Sequence, residues 1–148
     1  MQLLPMLVAK VLALSALTGT NFSPPILPDN EPQRPVVTTL CEVIRHREKW
    51  EGKRVQFRAS VISDGIDHTA LADPGCRFRV IPRISEQNSN RTDVQRFRRA
   101  VFVDPPRGTA FKTISATFVG KLAWERRGVA VLEVEEVKDL AVAERDRE

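Results

Sequence analysis

From Arg54 to Ile62 the chain alternates: Val55, Phe57, Ala59 and Val61 are apolar, and Arg54, Gln56, Arg58 and Ser60 between them are polar. A period of two puts the first set on one side of a strand and the second set on the other, so a core must cover one face while water meets a basic one. Just before it, Gly52 is placed to end a helix at positive φ, a conformation that costs glycine no steric strain. The rest of the chain reads as a small barrel closing around this strand.

Upstream, Thr38 or Thr39 can cap a helix running to about Trp50, with Leu40, Cys41, Val43 and Ile44 on its apolar face. Thr39 and Glu42 have the spacing of a capping box. Downstream, Ser63-Asp64-Gly65 is a turn signal, Asp67 to Ala72 a weaker strand, and Asp73-Pro74-Gly75 a second turn. Cys76 to Ile81 alternates again, predicting Cys76, Phe78 and Val80 inward, Arg77 and Arg79 outward, and an end at Pro82. Thr92 is a candidate cap for a helix through Ala100 that carries Val94, Phe97 and Val101 at helical spacing. Strands follow at Ile114–Leu122 and Val129–Val137, joined by a hairpin through Glu125-Arg126-Arg127-Gly128. The expected fold is therefore mainly β with short helices: a five-stranded barrel preceded by an N-terminal helix, with a helical connection between the third and fourth strands. That is the oligonucleotide/oligosaccharide-binding (OB) arrangement.

The Gly52-Lys53-Arg54-Val55 opening with its preceding helix, and Phe118-Val119-Gly120-Lys121 ahead of a final Val/Leu-rich strand, resemble small exported bacterial proteins with an OB-like fold. The resemblance covers roughly residues 38–140. It implies a fold and a compartment, and carries no catalytic residue across.

The N-terminal segment points the same way. Lys10 falls inside the apolar run if the chain starts at Met1; a start at Met6 makes Met6–Lys10 a basic lead-in, Val11–Leu17 a short apolar stretch and Thr18–Thr20 a small-residue exit. Residues 1–20 are accordingly expected to be a signal peptide, too short in its apolar part to span a bilayer. The alternative is an apolar N-terminal helix of a cytoplasmic protein. Residues 21–37 contain Pro24, Pro25, Pro28, Pro32 and Pro35 and read as an extended linker. The barrel domain is expected over 38–142 and a charged tail over 143–148. Periplasmic or secreted location suits the two cysteines, Cys41 and Cys76, which an oxidising compartment would join. A loop of that size would stabilise the fold by about 3–4 kcal/mol in the chain-entropy account; two thiols that never meet are the competing possibility.

Catalytic signatures are missing from the sequence: no GxSxG elbow, no HExxH and no glycine-rich phosphate loop. The two histidines, His46 and His68, are far apart and lack the paired spacing of a zinc site, so neither metal nor cofactor is expected. His68 follows Asp67, but adjacent strand residues point to opposite faces. Glu133, Glu135 and Glu136 read as the wet side of the last strand, offsetting arginines on a neighbour. What stands out is basic charge. The formal net charge is +4, and Arg54, Arg58, Arg77 and Arg79 are the anion-binding candidates, with Arg96, Arg98 and Arg99 adding charge in the connecting helix. The expected function is a non-enzymatic binding module of the cell envelope whose partner is an envelope protein or an anionic ligand. The alternative is a nucleic-acid-binding OB domain using the same arginines with Trp50 or Trp124 as stacking platforms.

Overall fold

The first helix begins where a side chain can replace a missing backbone partner. Thr39 Oγ1 accepts the Glu42 N–H at 3.1 Å and opens α1, Leu40–Arg45. The capping box is one-sided, because the Glu42 carboxylate turns to His46 and Lys49 instead, at 3.7 and 3.5 Å. The single helix expected to reach Trp50 is two: the chain leaves helical geometry at His46 (φ −125°, ψ 56°) and resumes as α2, Arg47–Trp50. The break lets Trp50 turn into the core, 4% exposed, with Lys49 over its ring at 4.7 Å. Gly52 then takes φ 73°, and its N–H donates to Leu122 O at 2.8 Å, fixing where the next strand starts.

The computed structural model describes residues 33–64, 68–103 and 111–145. The leader expected over 1–20, the linker up to residue 32 and the end of the charged tail lie outside them. Six strands make the sheet: β1 (Val36–Val37), β2 (Arg54–Ser63), β3 (Thr69–Ala72), β4 (Arg79–Ile84), β5 (Phe111–Trp124) and β6 (Ala130–Arg145). Their order is β1-β2-β3-β4-β6-β5, and β5 pairs back onto β2. The last pairing closes a five-stranded barrel of β2 to β6. Only β4 and β6 run parallel within it, a pairing that the helical connection after β4 makes possible. That connection comprises α3 (Glu86–Ser89), α4 (Thr92–Arg98) and a π-helical turn, Arg99–Val103. The fold is thus the expected OB-like barrel. β1 is an addition: the end of the proline-rich segment pairs parallel with Val55 and Gln56 at the edge of β2.

Val55, Phe57 and Ala59 are buried as their alternation predicts, and face Ile114, Ala116, Phe118 and Leu122 of β5. One barrel end is filled by Val94, Phe97, Ala100 and Val101 from the helical connection, with Phe97 edge-on to Phe118 at 5.3 Å and 84°. Thr92 is not the cap of α4; the helix starts from Arg91 in extended geometry, and Asp93 makes the key contact by accepting the Val137 N–H at 2.8 Å.

Two expectations for the third barrel strand are corrected. The strand runs Arg79–Ile84, through Pro82, because from Ile81 onward β4 is paired with β6 alone, an edge setting that a residue without an N–H can occupy. Phe78 is outside the ladder and 65% exposed rather than in the core. The turn that follows Ala72 holds Cys76 on Cys41, so the inward–outward alternation starts only at Arg79. At the other end, β6 continues beyond the expected Val137 to Arg145, paired along its length with the 14-residue β5.

Candidate functional site

Parity decides which side chains reach the outer face of β2, β3 and β4. Since Val55, Phe57 and Ala59 are buried, Arg58, Ser60 and Ile62 point outward. Leu71 and Val80 are buried and paired, so Ala70, Ala72, Arg79 and Ile81 point outward as well. The register aligns these residues in rows across the three strands. Ser60 pairs with Ala72 and Ala72 with Arg79; Ile62 pairs with Ala70, and Ile81 follows on from Arg79 at the next outward position of β4.

Beyond the second row, Asp64 and His68 meet across the β2–β3 turn. The Asp64 N–H donates to His68 O at 3.2 Å, and the His68 N–H to Asp64 Oδ1 at 3.1 Å. The side chains pair through Nδ1 and Oδ2 at 2.8 Å. The carboxylate that His68 meets is therefore four residues back; Asp67, its sequence neighbour, lies outside the described residues. Ala70, between Ile62 and Ile81, floors a trough of about 540 Å³ that is lined also by Arg79, Asp64 and His68. Its two isoleucines are solvent-facing, Ile62 43% and Ile81 39% exposed, with Ala70 buried between them.

The four candidate arginines separate. Arg79 is on the trough wall and exposed. Arg58 reaches along its strand to donate to Ser115 Oγ at 3.1 Å, and Ser115 pairs with Ser60, so its charge lies at the β5 end of the row that Arg79 ends on β4. Among the described residues neither Arg58 nor Arg79 has an acidic partner. Arg54 is taken up by the fold: its Nε meets Glu135 at 2.5 Å and its Nη1 donates to Gln33 O at 3.0 Å. Arg77 is exposed in the bend before β4, not on the strand. Two of the three glutamates expected to offset cations do so: Glu135 with Arg54, and Glu136 with Lys138 and Arg91. Arg98 and Arg99 line a separate concavity with Phe102 and Val103.

Cys41 and Cys76 form a disulfide with Cα atoms 5.5 Å apart, tying α1 to the turn before β4. Asp73 lies close enough to both sulfurs to complete a three-ligand group, yet the sulfurs are committed to each other and Asp73 Oδ1 accepts the Gly75 N–H at 2.7 Å. His46 is exposed at the break between α1 and α2, beside Glu42. Neither tryptophan is near the trough rows in sequence or register: Trp50 is buried, and Trp124, at the far end of β5, has the Arg47 guanidinium over its ring at 5.6 Å.

The residues that sequence reading missed are Ile62, Ala70, Ala72 and Ile81. Each looks unremarkable alone, and the signal would have been the Ala-x-Ala spacing of a central strand, which becomes visible only once its two neighbours are known. Comparison with protein-family models, curated proteins and solved structures finds no match for the chain.

Proposed function

We propose that this protein is an exported, non-enzymatic binding module whose ligand face is the outer surface of β2, β3 and β4, and that its ligand is anionic. The observation that carries the reading is Arg79 on the trough wall, with Arg58 on the same outward face, neither having an acidic partner among the described residues. Guanidinium groups bind carboxylate and phosphate through directed, paired hydrogen bonds, so an arginine without an acidic partner on a concave wall favours an anionic group there. OB-type barrels offer this same strand face to their ligands. The Cys41–Cys76 bridge supports an oxidising compartment, since such bridges are rare where glutathione keeps thiols reduced.

The nucleic-acid alternative asks for aromatic platforms beside the cations. Trp50 is buried and Trp124 carries Arg47, which favours a ligand held without base stacking.

Replacing Arg58→Glu and Arg79→Glu together should abolish retention on a phosphocellulose matrix at low salt while the circular dichroism spectrum stays that of the native protein. Unchanged retention would overturn the anion-binding reading. Export has its own check in protein recovered from its native host: a shortened chain whose two cysteines are alkylated only after reduction is expected, and a full-length chain with free thiols rejects it.

A further inference from the structure

We infer that the trough takes a small anionic amphiphile: a carboxylate or phosphate head held by Arg79, with a short hydrocarbon body lying on Ile62, Ala70 and Ile81. The inference rests on the proposed reading of this face as the ligand surface and specifies what the ligand must look like. Successive outward residues on a strand are roughly 6–7 Å apart, so the three rows are stacked at that interval. Along the trough the character changes in order: cationic at Ser60–Ala72–Arg79, apolar at Ile62–Ala70–Ile81, and an acid–histidine pair at Asp64–His68.

A polyanion tracking the trough would need a cation at each step. Here its second charge would fall on two exposed isoleucines and its third beside the Asp64 carboxylate. A molecule with one charged end and an apolar body matches the order instead, because desolvating Ile62 and Ile81 contributes binding energy that a purely ionic ligand cannot use. Alanine at position 70 supplies the depth: a larger residue there would fill the trough between the two isoleucines. The Asp64–His68 pair limits the body's length, since extending hydrocarbon over it would desolvate a hydrogen-bonded polar pair. A volume of about 540 Å³ lies within the usual range for small-molecule sites.

The test uses the processed, oxidised protein with octanoate and octyl phosphate as probes, and acetate, inorganic phosphate and 1-octanol as controls, titrated by calorimetry and by amide NMR shifts. At least one octyl anion should bind and shift amides of β2, β3 and β4, with the better of the two identifying the head, and every control should bind about tenfold or more weakly. Ala70→Leu should weaken that binding by about tenfold or more with the fold intact; Ile62→Glu, an exposed position, serves if the leucine variant does not fold. Equal binding of acetate and octanoate, wild-type affinity in both trough variants, or no binding of either octyl anion would overturn the inference. If the octyl anions fail while phosphocellulose retention still depends on Arg58 and Arg79, the amphiphile inference falls and the anionic-ligand reading stands; if retention fails too, both fall.

Discussion

Gly120 lies where β5 and β6 crowd each other. At the register shift between Val119 and Gly120, a Cβ on Gly120 would stand 2.2 Å from Glu133 O, a backbone atom with no freedom to swing aside. An alanine in a strand interior usually gains about 0.5–1 kcal/mol over glycine. Here the clash reverses the sign: Gly120→Ala is expected to destabilise by about 1–3 kcal/mol, read from the urea midpoint at unchanged m-value. Asp93 supports the neighbouring part of β6 differently. Burial alone would raise its carboxyl, but the Val137 N–H and the Arg91 guanidinium outweigh that and hold it below its ordinary value. Its stabilisation is therefore complete above the ordinary aspartate range near pH 4 and is lost as pH falls through the depressed folded value. Asp93→Asn should cost about 1–2 kcal/mol at neutral pH. The gap to wild type should narrow in acid below about pH 4, in denaturation curves taken across pH; a gap independent of pH would reject the assignment. Neither role is readable in the sequence. Gly120 sits in step with Ile114, Ala116 and Phe118 and looks like a small core residue, and Asp93 looks like an ordinary first-turn acid until Val137 is brought beside it.

Elements with a strong period were legible. β2 and β5 alternate through most of their length because both faces are fixed, one by the core and one by water; the exceptions are Val61, only partly buried, and Val119, buried beside Phe118 where the register shifts. β4 was misplaced because a covalent constraint overrides the pattern: Cys76 fits an inward strand position, but its sulfur is held by Cys41 and the residues up to Phe78 form a turn. This separates two phenylalanines that the pattern treats alike. Phe97, about 1% exposed and packed edge-on to Phe118, anchors the helical connection to the barrel, and Phe97→Ala should cost about 3–5 kcal/mol. Phe78→Ala, at an exposed turn position, should stay within about 0.5 kcal/mol of wild type. Thermal melts of the pair decide it, and a comparable loss at Phe78 would contradict the exposed placement. The α1–α2 break was not legible, since Leu40, Val43 and Trp50 are compatible with one continuous helix.

For the molecule as a whole, closure is what makes the face. β2 pairs with β3 on one side and β5 on the other, so its outward residues gain neighbours from both, and Arg58 is drawn to Ser115 rather than standing free. The sequence shows that Arg54, Arg58 and Arg79 share an outward parity. It cannot show that Glu135 claims the first, because that pairing depends on the order in which β5 and β6 complete the circuit. The two tryptophans have a practical consequence. The chain contains no tyrosine, so its near-ultraviolet emission comes from Trp50, sealed in the core, and Trp124, at the far end of β5, neither of which lines the trough. The intrinsic fluorescence of this protein is consequently a gauge of whether it is folded and nearly blind to a ligand in the trough, and a screen that relied on emission changes would pass over a true binder.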